Sequence, residues 1–126
     1  MTPVEGGSAG FSVDRRYQDG VLVLVIRGVV DAETSLALTA DFEAAATASG
    51  PVVVDLCGAS FMDSSGLYSL MVLRRRLAER SRRLAVAYWP EGAIAMIFNV
   101  SGVEELFEVY ANRPAAVAAT RGSAGQ

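Results

Sequence analysis

The chain has 126 residues, 52% apolar and 20% charged, enough to bury one real core and too apolar for an intrinsically disordered protein. Its formal charge of −3 argues against generic nucleic-acid binding, which needs a strong positive field. Histidine is absent and all 11 basic residues are arginine, which excludes Ser-His-Asp and Cys-His catalysis, histidine metal sites, a P-loop lysine and Schiff-base chemistry.

Met1 to Gly10 is small and polar and is expected to be a tail (1–10). It has neither the basic region nor the apolar core of a secretory signal. Phe11 to Tyr17 alternates apolar and polar residues until Arg15, which predicts a strand at a sheet edge. Gln18-Asp19-Gly20 is a hairpin signal. Val21 to Val30 is almost wholly apolar and β-branched, the pattern of a strand covered on both faces. Arg27 interrupts this run, which is far shorter than the roughly 20 apolar residues a membrane span needs. Cys57 is alone and cannot close an internal disulfide, which suits a reducing compartment. A cytoplasmic protein with no membrane segment is expected.

Gly28 to Asp31 is expected to turn the chain, with Asp31 capping a helix over Ala32 to Ser49. Leu36, Leu38, Ala40, Phe42, Ala45 and Ala46 would form its apolar face. After Gly50-Pro51, Val52 to Leu56 predicts a core strand, and Cys57 to Met62 a link to the next corner. The helix expected from Ser64 to Ser81 carries Leu67, Leu70, Leu73 and Leu77 at helical spacing. Its far end holds Arg74, Arg75, Arg76, Arg80, Arg82 and Arg83. That cluster reads either as a solvated face, with Glu79 placed to pair with Arg83, or as a docking surface for an acidic partner. Leu84 to Trp89 predicts another strand and Gly92 to Val100 a short helix. Glu104 to Tyr110 predicts a helical turn leading into a short strand. Arg113 to Thr120 predicts a last helix with Pro114 in its first turn, and 121–126 a second tail. Alternating strands and helices argue for a largely parallel sheet.

The corner Phe61-Met62-Asp63-Ser64-Ser65-Gly66-Leu67 organises this pattern. Asp63, Ser64 and Ser65 are all helix-capping types, and Gly66 leaves the backbone open to close approach. Taken alone, these residues fit a plain helix start as well as a binding corner. Together they resemble the signature of the STAS domain family, in its anti-sigma-factor antagonist branch. Gly28, Asp31 and Thr34 resemble that family's Gly-x-x-Asp-x-x-Thr element, and Ser101-Gly102-Val103 its Ser-Gly-Leu. On residue grounds alone, Asp31 reads first as an N-cap and Gly28 as a turn. Two departures stand out: Tyr68 replaces a small residue, and Arg80-Ser81-Arg82-Arg83 lacks a glycine that members often carry.

The resemblance implies a single STAS-type α/β domain over 11–120. Its sheet would be mixed and mostly parallel, with about four to five strands and about four helices mainly on one face. It implies phosphorylation at Ser64, with Asp31, Thr34, Asp63, Ser65, Gly66 and Leu67 in the partner-binding region. It implies as partners an anti-sigma serine kinase, a GHKL-type ATPase, and a resetting phosphatase. A monomer is expected, with no cofactor, no metal and no enzymatic activity of its own, since no histidine or lysine is available to activate Ser64 beside Asp63 or Asp55. The alternatives are a STAS scaffold, or a small-ligand or nucleotide-sensing module in a larger assembly.

Overall fold

The computed structural model describes residues 10–122, so the expected tails over 1–9 and 123–126 lie outside the described residues. Arg121, expected at the start of a tail, instead caps the last helix and pairs with Asp19 across 3.2 Å.

Five strands form one sheet in sequential order: β1 (Ser12–Gln18), β2 (Val21–Val30), β3 (Val52–Met62), β4 (Leu84–Ala87) and β5 (Glu108–Tyr110). β1 runs antiparallel to β2, and the other neighbours are parallel. The β1–β2 hairpin closes through Asp19 and Gly20 at φ of 54° and 82°, two positive angles that match the twist of the strands they join. Four helices, α1 (Ala32–Thr47), α2 (Ser64–Ala78), α3 (Ala93–Ser101) and α4 (Arg113–Thr120), complete the domain.

The apolar run of β2 divides by alternation. Leu22, Leu24 and Ile26 point into the larger core with α1, α2 and α3, while Val21, Val23 and Val25 face α4. Leu67, Leu70, Leu73 and Leu77 fix α2 to the sheet, and each buried leucine contributes roughly 1.5–3 kcal/mol of transfer free energy. Phe98 packs between Tyr88, tilted against it, and Phe107, edge-on, at centroid distances of 4.8 and 5.6 Å.

Several sequence expectations are corrected. The segment from Cys57 to Met62 is not a linker but the second half of β3. It pairs with the end of β2 through two register shifts. Gly28 does not turn the chain; at φ 92° it sits inside β2 at one of those irregularities. A Cβ there would lie 2.8 Å from the Gly10 carbonyl oxygen, so only glycine lets the incoming chain pass. Leu36 and Ala40 are exposed, and α1 instead buries Thr34 and Ser35 beside Leu38, Phe42, Ala45 and Ala46. β4 stops at Ala87, before Trp89. Arg83 pairs with Glu108 across 2.8 Å, not with Glu79.

Candidate functional site

Parallel pairing brings two helix starts together. Val30 at the end of β2 is opposite Met62 at the end of β3, so α1 and α2 begin side by side at the carboxyl ends of the two strands. In open α/β sheets this is where ligands and partners are most often met. The Asp63 amide donates to the Val30 carbonyl at 2.9 Å and ties the second corner to the first.

At the first corner, Asp31 and Thr34 form a reciprocal cap. The Thr34 amide donates to Asp31 Oδ1 at 3.0 Å, and the Asp31 amide donates to Thr34 Oγ1 at 2.8 Å. The Thr34 hydroxyl then donates to the Val29 carbonyl at 2.8 Å. The Thr34 amide, aided by its hydroxyl, holds the Asp31 carboxyl below its ordinary range, against some desolvation. Thr34 is fully buried, so it braces the corner from beneath and presents nothing to a partner.

At the second corner, Asp63 Oδ1 accepts from the Ser65 amide at 2.9 Å and the Gly66 amide at 3.3 Å. Asp63 is therefore the cap, and Ser65, expected to share that role, does not cap the helix. Ser64 is the first residue of α2 and is exposed; Ser65 is half-buried. Neither hydroxyl has a hydrogen-bond partner among the described residues.

Gly66 also departs from expectation. It is buried, and a Cβ there would lie 2.6 Å from Val30 Cγ1 and 2.9 Å from Met62 Cγ. Its role is to let α2 close onto the strand ends, not to open the backbone to a visitor. Leu67 is likewise a core residue, 8% exposed. The accessible part of the corner is thus Asp31, Asp63, Ser64 and Ser65, framed by exposed Phe61 and Tyr68. A groove of about 190 Å³ runs between α1 and α2 past Ser35, Thr39, Phe42, Tyr68 and Val72.

Among the described residues no side chain hydrogen-bonds the Ser64 hydroxyl to act as its base. Asp55 lies in the middle of β3, accepts from Arg113 Nε at 2.7 Å and from the Cys57 amide at 2.9 Å, and is 4% exposed. The Asp55–Arg113 pair was not foreseen from sequence, because its members are far apart along the chain. Burial first, and the Asp55 charge second, push the Cys57 thiol up to about 12, which keeps it protonated. The arginine-rich segment lies at the other end of the sheet and is largely knitted into the fold. Arg76 pairs with Glu43 at 2.6 Å, Arg83 with Glu108, and Arg74 and Arg82 donate to backbone carbonyls. No helix among the described residues is long and apolar enough to cross a membrane.

A family profile described as "Mlab, STAS domain" matches residues 13–108. No curated protein matches the chain. Among solved structures, an anti-sigma factor antagonist from Mycobacterium paratuberculosis superimposes with a TM-score of 0.80 at 26% identity, over 88% of this chain and 94% of that one. An anti-sigma-factor antagonist STAS domain protein from Planctomyces limnophilus gives a TM-score of 0.75 at 18% identity, over 85% and 95%. The Bacillus cell fate determinant SpoIIAA in its phosphorylated form gives 0.64 at 21% identity, over 86% and 96%. The latter two establish likeness of fold alone.

Proposed function

The chain belongs to the STAS domain family, and from that premise we propose that it is an anti-sigma-factor antagonist switched by phosphorylation at Ser64. The observation that carries this reading is the Ser64 hydroxyl, exposed and unbonded at the first position of α2. In its unmodified form the protein binds an anti-sigma serine kinase at the paired helix starts, and sigma factor is released. The partner surface covers Asp31, Asp63, Ser64 and Ser65; Thr34, Gly66 and Leu67 hold those residues in place.

The switching step is a phosphoryl transfer. Ser64 Oγ attacks the γ-phosphorus of ATP held by the kinase, the Oγ–P bond forms, the bond to ADP breaks, and the serine proton passes to a base on the kinase. The new group carries about −1.5 to −2 charges and three acceptor oxygens. The amino end of α2 favours that charge and neighbouring Asp63 opposes it, so the fold changes little. A partner packed over Ser64 meets the whole steric and desolvation cost and leaves. A phosphatase then resets the serine.

Incubation with the cognate kinase and ATP, followed by mapping of the phosphate, tests the assignment. Phosphate at Ser64 is expected, and phosphate on a residue outside the serine pair would refute it. In co-purification, Ser64→Ala should keep the kinase and Ser64→Asp should lose it. A second reading, a STAS adaptor fixed in a larger assembly, draws on Tyr68, which is 68% exposed beside the α1–α2 groove. It predicts binding that survives Ser64→Asp and is lost in Tyr68→Ala.

A further inference from the structure

At the opposite end of the sheet from Ser64, a cleft of about 620 Å³ opens at the amino ends of β3, β4 and β5. Its volume lies in the range of small-molecule sites. The walls are the Gly50-Pro51 connection, the last turns of α2, the Ser81–Leu84 connection and Leu106–Glu108. Three arginines line it, Arg74, Arg82 and Arg83, against one carboxylate, Glu108.

That carboxylate is taken. Arg83 Nε donates to Glu108 Oε2 and Arg83 Nη2 to Oε1, both at 2.8 Å, a two-pronged pair that neutralises both partners. Arg74 and Arg82 have no carboxylate within ion-pair distance among the described residues. Arg74 Nε donates to the Leu106 carbonyl at 2.5 Å. Arg82 Nε donates to the Gly50 carbonyl at 2.9 Å and its Nη1 to the Ala46 carbonyl at 3.1 Å. Its Nη2 is buried with no hydrogen-bond partner among the described residues. Burial first, then the neighbouring Arg80 charge, pull the Arg82 pKa down. A partly buried cation beside other cations and without a counter-charge is an unfavourable arrangement. It stands out in a chain whose net charge is −3.

We propose that this cleft binds a small phosphate-bearing anion, whose charge supplies the compensation that Arg74 and Arg82 lack. Carbonyl bonds hold the Arg82 guanidinium in place, so its charge is pre-positioned in the wall. Among the described residues only Nε of Arg74 is engaged, which leaves its terminal nitrogens for a planar, two-pronged grip on phosphate oxygens. The site is separate from the serine corner and does not depend on the partner-switching role.

The test is a two-dimensional NMR titration of the full chain with pyrophosphate and, separately, ATP at low salt. Saturable shifts are expected in the Arg74 and Arg82 side-chain Nε–H signals and the Gly50 amide, with the Ser64 amide unmoved. Because Arg82 also braces the loop after α1, Arg74→Gln is the variant of choice. It should weaken binding about tenfold, the loss of one charge-assisted contact, while Arg75→Gln, outside the cleft, should change it less than about twofold. Absence of saturable shifts with both probes at millimolar concentration would overturn the proposal. So would equal weakening in both variants, the mark of diffuse attraction. Binding of an acidic peptide in the cleft where pyrophosphate fails would also overturn it, as it would identify a protein partner.

Discussion

The two neighbouring helix starts use the same cap to opposite ends. In α1, Asp31 at the cap is answered by Thr34 three residues on, and each satisfies the other's backbone amide. In α2, Asp63 occupies the same place, but the residue three on is Gly66, which has no side chain to answer with. The Asp63 amide turns instead to the Val30 carbonyl on the adjacent strand. One corner is closed on itself. The other is fastened to its neighbour, and the hydroxyls of Ser64 and Ser65 are left without structural duty. A side chain that holds nothing together can be modified or covered without harm to the fold, which is what a reversible switch requires.

The sharpest way to break this contrast is Gly66→Ala. The new methyl would meet Val30 Cγ1 at 2.6 Å, and α2 would have to move off the strand ends. A stability loss of about 2–3 kcal/mol is expected in urea unfolding, even after the better helix propensity of alanine. Next comes Thr34→Val, which keeps the shape but strands the Asp31 amide and the Val29 carbonyl. It should cost about 1–2 kcal/mol by the same measurement, and a neutral result would mean the reciprocal cap contributes nothing.

A smaller effect concerns acid. The folded pKa of Asp31 is depressed below its reference value of 3.8, chiefly by the Thr34 amide. Its contribution is therefore complete above the unfolded value and disappears as pH falls through the lower folded one. Asp31→Asn, which retains a good cap, should remove this part of the acid dependence, so thermal melts of the two proteins should draw together as pH falls from the reference value of 3.8 through the lower folded one. The smallest expected effect is at the open corner. Ser64→Ala should stay within about 0.5 kcal/mol of the parent in urea unfolding, because its hydroxyl bonds nothing among the described residues. A larger loss would show that Ser64 is structural after all.

Much of this was legible in the sequence. The leucine spacing of α2, the Asp19-Gly20 hairpin and the apolar run of β2 each carry a local period or turn chemistry that tertiary contacts reinforced. The serine corner was legible as a motif and as a helix start. What escaped depends on neighbours distant in sequence. The small residues Gly58, Ala59 and Ser60 do not read as strand, yet the parallel partner β2 extends far enough to draw β3 out to Met62. Gly66 looks like an opening until Val30 is seen against it. Leu36 fits an apolar stripe, but Thr34 and Ser35 take the buried side because the cap turns α1 that way. The arginine pairings with Glu43 and Glu108 span 33 and 25 residues, and no local rule selects them.

β1 has a consequence of its own. It is the outermost strand on its side of the sheet, seven residues long, and an open strand edge of that length invites a second copy to add on and start a fibril. Asp14, Arg15 and Arg16 stand exposed along it, with Arg15 drawn down to Asp41 on α1. Adding another strand there would strip water from these charged side chains, and an in-register parallel copy would also set Asp14 against Asp14 and Arg16 against Arg16, so this edge carries its own protection against polymerisation.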